Sequence, residues 1–182
     1  MPGDFSRHCF FGDKMNDYPF RPLYDENSEI LILGSFPSVK SQENKFFYGH
    51  PQNRFWPMIA EIFGEERPQT REEKIAIALK NHMAVWDVIE SCDIVGSSDS
   101  SIKNVVPNDL SEILKKTQIK KIYINGKTAE KFYKKYQAKL VNIPAICLPS
   151  TSPANAAWNF ERLKEAWSVI KKERSEEIEQ TI

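Results

Sequence analysis

Four short apolar runs, each bounded by turn residues, constrain most strongly what this chain can fold into. They occupy residues 29–36, 84–89, 121–125 and 145–148, and the first contains Ile30-Leu31-Ile32-Leu33 without interruption. Apolar runs of this length are typical of strands that are covered on both faces. Stretches of helical periodicity separate them, so the sequence predicts an α/β fold with three layers. We expect a four-stranded, mainly parallel sheet with helices on both faces.

Four helical segments place their apolar residues on one face each. The apolar faces comprise Phe55, Ile59, Ile62 and Phe63; Leu110, Ile113 and Leu114; Ala129, Phe132, Tyr133 and Tyr136; and Phe160, Leu163, Trp167 and Ile170. Faces of this kind pack against a sheet and need no cofactor. We therefore predict no cofactor.

The length of 182 residues suits a single domain, here 1–182, with an N-terminal extension at 1–28 and a charged tail at 171–182. No apolar run approaches the roughly 20 residues that cross a bilayer, and the N-terminal segment lacks the apolar stretch of a secretory signal. The three cysteines are too scattered for a disulfide framework or a zinc site. We expect a cytoplasmic monomer that binds no metal and contacts no membrane.

The charge is unevenly distributed, although 25 basic residues balance 25 acidic ones over the whole chain. The segment 114–139 holds nine lysines and one acidic residue, Glu130. Such a segment can supply phosphate contacts to nucleic acid. It can equally be the solvated face of helices. The sequence leaves both interpretations open.

Three loops rich in Gly, Pro, Ser and Asn follow the predicted strands, at 34–38, 125–128 and 148–153. Parallel strands end at the same edge of a sheet, and ligands bind at that edge in open α/β folds. The 125–128 loop also opens a helix, whose N-terminus favours an anion or a polarised oxygen. A ligand pocket is therefore predicted at this edge.

Familiar catalytic motifs are absent, because the sequence has no nucleotide P-loop, no dinucleotide fingerprint and no serine nucleophile elbow. The most informative stretch is the aromatic run 46–56, which contains Asn53. Aromatic rings beside amides are suited to stacking on a flipped base and reading its edge. A simpler interpretation makes Asn53 a helix N-cap and places Phe55 and Trp56 in the core.

Four motifs together resemble the uracil-DNA glycosylase superfamily over about residues 30–167. The similarity is greatest to its hypoxanthine (deoxyinosine) branch, which is related to the mismatch-specific uracil glycosylases. The motifs are Gly34-Ser35-Phe36-Pro37-Ser38, His50-Pro51-Gln52-Asn53-Arg54-Phe55-Trp56, Asn125-Gly126-Lys127-Thr128-Ala129 and Leu148-Pro149-Ser150-Thr151-Ser152-Pro153.

Two positions depart from the uracil-processing branches. Phe36 stands where those branches carry a catalytic Asp or Asn, and Leu148 stands where they carry His or Asn. The hypoxanthine branch is similar in lacking both groups, and there catalysis is thought to depend on an asparagine that corresponds to Asn53. The resemblance thus implies that Asn53 is catalytic.

The resemblance also implies roles for the other motif residues. Those expected to bind the base are Gly34, Ser35, Phe36, Tyr48 and Asn125, with Tyr48 as the stacking aromatic or, on residue type alone, a half-buried packing residue. Those expected to contact the DNA strand are Ser38, Lys127, Ser150, Thr151, Ser152 and Asn155. The loop 150–155 has no bulky apolar residue that could be inserted into the duplex, so contact with the backbone of the DNA strand is its expected role.

The function implied is a monofunctional DNA glycosylase that hydrolyses the N-glycosidic bond of deoxyinosine in double- or single-stranded DNA. The alternatives are a uracil or mismatch glycosylase and an inactive lesion-binding module of the same fold. The motifs contain no carboxylate to support a cationic sugar, so we expect modest turnover. Strand cleavage through a Schiff base on Lys127 is a weaker possibility, because a lysine at a helix start is usually solvated.

Overall fold

The structure, a computed structural model, describes residues 20–95 and 98–171, together with the backbone of 8–11 and 14–17. Its strands are β1 His8–Phe11, β2 Lys14–Asp17, β3 Ile30–Gly34, β4 Met83–Asp87, β5 Ile89–Ile94, β6 Lys103–Pro107, β7 Lys121–Asn125 and β8 Ala145–Leu148. Its helices are α1 Val39–Glu43, α2 Phe55–Phe63, α3 Arg71–Lys80, α4 Ser111–Lys116, α5 Lys127–Tyr136 and α6 Phe160–Trp167, with a short 3-10 turn at Asp99–Ser101.

The central sheet has the strand order β4-β3-β7-β8, and every neighbouring pair is parallel. Ile30 lies opposite Met83 on one side and opposite Lys121 on the other. The middle strand is the most buried, since Leu31, Ile32 and Leu33 expose none of their surface. The predicted four-stranded parallel sheet is therefore confirmed.

Helices cover both faces of this sheet. Strands β4 and β7 lie on opposite sides of β3, so right-handed crossovers place the helices after β3 and the helices around β7 on opposite faces. Helix α3 contacts β4, α5 contacts β7, and α6 packs on α2. From β3 the chain adds β4 on one side of the sheet, and it later adds β7 and β8 on the other side. Ligands bind at such a switch in strand order, which here lies between β3 and β7.

A second sheet, with the strand order β2-β1-β5-β6, was not predicted from the sequence. The expectation of one strand over 84–89 is wrong, because the chain leaves the central sheet after Asp87 and begins β5 at Ile89. Both Val88 and Ile89 are fully buried. The apolar run thus continues although the strand does not, and burial alone could not reveal the change of sheet.

Part of the predicted N-terminal extension belongs to these sheets. The backbone amide of Leu23 donates to the carbonyl of Val85 at 2.9 Å, and the amide of Val85 donates back to Leu23 at 2.9 Å. This bridge covers the exposed edge of β4. Strand β1 pairs with β5. The predicted tail at 171–182 lies outside the described residues, apart from Lys171.

Helix α3 was also missed, although its start carries a clear signal. Thr70 accepts a hydrogen bond from the amide of Glu73 at 3.2 Å, and the Glu73 carboxylate accepts one from the amide of Thr70 at 3.0 Å. This reciprocal capping box is readable in the sequence as Thr-x-x-Glu. No helix within the described residues is long and apolar enough to cross a membrane.

Candidate active site

A cavity of about 820 Å³ lies at the carboxyl edge of the central sheet, at the predicted position. All three loops expected there contribute to its lining, together with residues from the aromatic run and from the end of β4. Its volume is within the range of small-molecule sites and admits a purine base. The predicted site residues that line it are Gly34, Ser35, Phe36, Ser38, Tyr48, Asn53, Asn125, Lys127, Ser150, Thr151, Ser152 and Asn155.

Asn53 stands at the start of α2 and faces this cavity. Its side-chain oxygen Oδ1 accepts a hydrogen bond from the backbone amide of Phe55 at 3.0 Å and another from the hydroxyl of Thr151 at 2.9 Å. The N-cap residue of α2 is Arg54, one position after the residue that the capping interpretation names, but the first bond satisfies an N–H group at the start of the helix as that interpretation expects. Phe55 and Trp56 are buried in the core, also as that interpretation predicts.

These two bonds fix the orientation of the Asn53 amide. A backbone N–H can only donate, so the atom that faces the amide of Phe55 must be the carbonyl oxygen. With Oδ1 held by Phe55 and Thr151, Nδ2 is the end that remains for a ligand. Asn53 therefore offers N–H donors, which can bind an oxygen or nitrogen that carries negative charge.

Thr151 holds the two predicted asparagines together. Its hydroxyl accepts from Nδ2 of Asn125 at 3.0 Å, and its backbone amide donates to Oδ1 of Asn125 at 3.0 Å. Thr151 exposes none of its surface, so the expectation that it contacts the DNA strand is wrong. Its side chain is committed to Asn53 and Asn125 instead. The predicted contact of Asn125 with the base stays a prediction.

Tyr48 packs as a half-buried aromatic residue and also lines the cavity. Its ring centroid lies 4.1 Å from that of Phe55, and its backbone φ is +52°. Its hydroxyl is buried and close to the Asn125 side chain, but it makes no hydrogen bond of good geometry within the described residues. Burial, followed by the nearby carboxylate of Asp87, raises the pKa of this phenol well above its ordinary value. The hydroxyl therefore stays protonated, and its stacking on a base stays a prediction.

Asp87 is the functional candidate that the sequence did not reveal. It ends β4 directly opposite Gly34, exposes 5% of its surface and lines the cavity. The four motifs contain no carboxylate, but Asp87, which lies between them in the chain, brings one to the cavity. The available signal was its position, because the second strand also ends at the binding edge of the sheet. The sequence pattern indicated only the loops after the other three strands, because Asp87 lies inside an apolar run.

Gly34 is required by the close approach of Asp87. A Cβ atom at position 34 would lie 2.4 Å from Oδ1 of Asp87 and 3.1 Å from the Tyr48 hydroxyl. Contacts between a Cβ and these atoms at such distances demand displacement of the carboxylate. The glycine thus lets the first loop pass over the buried acid.

Phe36 and Leu148 bring no polar group to the site. Phe36 is half-buried and lines the cavity, and Leu148 is buried in the core while also reaching the lining. Ser38 accepts from the amide of Ser41 at 3.2 Å and thereby caps α1. The polar groups of the cavity therefore come from other positions, Asn53 and Asp87 among them.

Lys127 is 85% exposed at the start of α5, and its ammonium group lies 2.8 Å from the carboxylate of Glu130. The same carboxylate binds Lys134 at 2.8 Å. The two lysines hold the pKa of Glu130 at about 2, and Glu130 in turn raises the pKa of Lys127. Lys127 is therefore a protonated cation and a poor nucleophile for a Schiff base.

The lysines of 114–139 do not form one patch. Lys127 and Lys134 share Glu130 on α5, whereas Lys120 and Lys121 lie at the amino end of β7, at the opposite edge of the sheet. Of these four lysines, Lys127 lines the cavity. Among the described residues, no cluster of His, Cys, Asp and Glu is arranged to hold a metal ion.

Comparison with known proteins identifies the family. The family model "Uracil DNA glycosylase superfamily" matches residues 21–171. A hypoxanthine DNA glycosylase from Methanosarcina acetivorans is 33% identical over 153 residues, which cover 83% of this chain and 95% of the relative. One from Methanosarcina barkeri is 37% identical over 121 residues, which cover 65% of this chain and 76% of the relative.

A solved structure agrees with these matches. The solution NMR structure of a candidate uracil DNA glycosylase from Methanosarcina acetivorans aligns with a TM-score of 0.72 at 32% identity. The alignment covers 84% of this chain and 95% of that one. The parallel sheet, the cavity at its carboxyl edge and the matched sequence all agree, and the chain belongs to the uracil DNA glycosylase superfamily.

Proposed function

We propose that this protein is a DNA glycosylase that removes hypoxanthine from deoxyinosine. The deaminated nucleotide is flipped out of the DNA into the cavity, and water replaces the base at C1′ of the sugar. The electron pair of the glycosidic bond leaves with the base, a proton from the water neutralises it, and an abasic site remains. Flipping is easiest for a weakly paired base, which favours lesions before any contact with the site is made.

The observation that carries the proposal is the orientation of Asn53. Asn53 lines the cavity, and Nδ2 is the end of its amide left for a ligand because Oδ1 is held by Phe55 and Thr151. An N–H donor fixed in a cavity stabilises negative charge that develops on the departing base, without reorganisation during the reaction. An amide is a poor proton acceptor, so Asn53 acts on the leaving base rather than as a general base. The relatives named hypoxanthine DNA glycosylase support the choice of substrate.

Asp87 supports a preference for hypoxanthine over adenine. A carboxylate only accepts hydrogen bonds. Hypoxanthine carries an N–H donor at N1, whereas adenine presents a lone pair there, which a carboxylate repels. Asp87 is 5% exposed, so a base contact at this position is shielded from competing water. A carboxylate placed at N1 therefore favours hypoxanthine over adenine.

The reaction ends with the abasic site because no described side chain of the cavity is a ready amine nucleophile. Two lysines line the cavity, and each is ion-paired with a carboxylate: Lys40 with Glu43 and Lys127 with Glu130. Glu130 also raises the pKa of Lys127, which stays protonated. Its charge is suited to a DNA phosphate instead, as is the amino end of α5. The protein acts as a monofunctional glycosylase, and one copy of the chain suffices for the site.

A base-release assay tests this proposal. Excess enzyme is mixed with matched duplexes and single strands that contain one inosine, uracil, xanthine or normal base, and abasic sites are cleaved with hot alkali. We expect strand cleavage at inosine and none at adenine. Cleavage at uracil alone would assign the protein to uracil repair. Specific binding without cleavage of any substrate would show a lesion-binding module.

A further inference from the structure

Arg54 reaches from the start of α2 across to the loop that follows β8. Its Nε donates to the carbonyl of Thr151 at 3.3 Å, and its backbone amide donates to the same carbonyl at 3.2 Å. Its Nη2 donates to the carbonyls of Ser152 at 2.6 Å and Asn155 at 3.1 Å. Its Nη1 donates to the carbonyl of Trp158. One guanidinium therefore gathers four carbonyls of the segment 151–158.

These contacts use most of the hydrogen-bond donors of the Arg54 side chain. An arginine carries five N–H groups, and four of them point at loop carbonyls. A side chain so committed has little left for a DNA phosphate. Its charge also strengthens each bond, because hydrogen bonds from an ionised donor are about twice as strong as neutral ones. Arg54 is thus arranged to organise this loop.

Among the residues that Arg54 holds, Thr151 is the one that contacts Asn53. Arg54 fixes the Thr151 carbonyl, Asn125 fixes its backbone amide and hydroxyl oxygen, and the hydroxyl hydrogen then points at Oδ1 of Asn53. The adjacent residues Asn53 and Arg54 therefore both bind Thr151: Asn53 binds its hydroxyl, and Arg54 binds its backbone carbonyl. The position of the Asn53 amide depends on where Thr151 is held.

We propose that Arg54 is a positioning residue for base release, which holds Thr151 so that Nδ2 of Asn53 faces the departing base. This inference rests on the proposed glycosylase function. It assigns no contact between Arg54 and DNA. Loss of the guanidinium should therefore slow the chemical step much more than it weakens lesion binding, because base release depends on the geometry of Asn53 whereas binding is shared among many phosphate contacts.

The test compares Arg54→Lys, Arg54→Ala and Arg54→Met with a matched control, Arg162→Lys. Arg162 is also a guanidinium that binds one carbonyl of this region, that of Ala157 at 3.0 Å, and it lies over the ring of Trp158. It makes none of the four contacts of Arg54. Single-turnover base release is measured on an inosine duplex, and affinity is measured on a duplex with uncleavable 2′-fluoro-deoxyinosine.

We expect Arg54→Lys to slow base release by about 100-fold, because a single ammonium cannot span four carbonyls. Affinity should change by less than about threefold, since phosphate contacts dominate binding. The control variant should release the base at the wild-type rate. Added methylguanidinium should restore part of the rate of Arg54→Ala. An unchanged rate in folded Arg54→Lys, or equal losses of rate and affinity, would overturn the proposal.

A second readout needs no activity. The side-chain NH₂ signals of Asn53 can be assigned by NMR through their loss in Asn53→Asp. In Arg54→Lys or Arg54→Met these signals should shift and broaden, whereas in Arg162→Lys they should stay in place. Unmoved signals would contradict the positioning role. If the wild-type protein releases no base, the proposed function fails, and the NMR result still decides whether Arg54 sets the orientation of Asn53.

Discussion

The hydroxyl of Thr151 donates to Oδ1 of Asn53 at 2.9 Å, across 98 positions of the chain. This bond decides which end of the Asn53 amide meets a ligand. A residue expected to touch DNA is thus buried beneath the cavity, where it orients the amide that we propose to be catalytic. The relationship makes the polarity of Asn53 testable by substitutions that change hydrogen bonding while preserving size.

Asn53→Asp should fold normally and lose base release. A carboxylate accepts from the Phe55 amide and the Thr151 hydroxyl as the amide oxygen does, so the start of α2 stays satisfied. The variant has no N–H to offer the base and adds negative charge, so we expect a loss of about 100- to 1,000-fold. Single-turnover release and thermal melting measure the two effects. Retained activity would show that Asn53 does not act as a donor.

Thr151→Val should remove the bond to Asn53 and leave the Asn125 amide without its side-chain partner. An unsatisfied buried polar group costs about 1–3 kcal/mol, so the melting temperature should fall along with the rate of base release. Thr151→Ser keeps the hydroxyl and serves as the matched control. It should lose stability through the missing methyl group and retain most of the release rate. Equal rates in the two variants would contradict the role of the hydroxyl.

Asp87→Asn should weaken the discrimination between inosine and adenine. The amide can donate to N1 of adenine, which the carboxylate cannot do. We expect slower release of hypoxanthine, by about tenfold for one lost charged hydrogen bond, and a smaller ratio of inosine to adenine cleavage. Competition between the two duplexes in one reaction measures that ratio directly. An unchanged ratio would remove Asp87 from base recognition.

The lysines of α5 can be separated by two double variants that remove equal charge. Replacing Lys127 and Lys134 by Gln should reduce the salt dependence of DNA binding by about one to two phosphate contacts. Replacing Lys131 and Lys135, which lie over the rings of Phe132 and Tyr136, should alter it less. Affinity titrations at several salt concentrations give both slopes. Identical salt dependence of DNA affinity in the two variants would show that all four lysines contribute equally, wherever they lie on the helix.

The central sheet could be predicted because buried parallel strands read as uninterrupted apolar runs, and Ile30–Gly34 is the clearest case. The change of sheet after Asp87 could not, since Val88 and Ile89 are equally apolar and equally buried. The aromatic run made Asn53 a candidate, but only the family resemblance implied a catalytic role for it. The contacts of Arg54 could not be predicted from the sequence. Its partners lie 97 or more positions away and are backbone carbonyls, which every residue carries.

The missing side chain at position 34 has a consequence for how sequences of this family can diverge. The space that a methyl group would need is filled by the carboxylate of Asp87. Positions 34 and 87 therefore cannot vary independently. In relatives that keep an acidic residue at 87, we expect glycine at 34 throughout, and any larger residue at 34 should be accompanied by a shorter or absent acid opposite it, so that the two positions mutate as a pair.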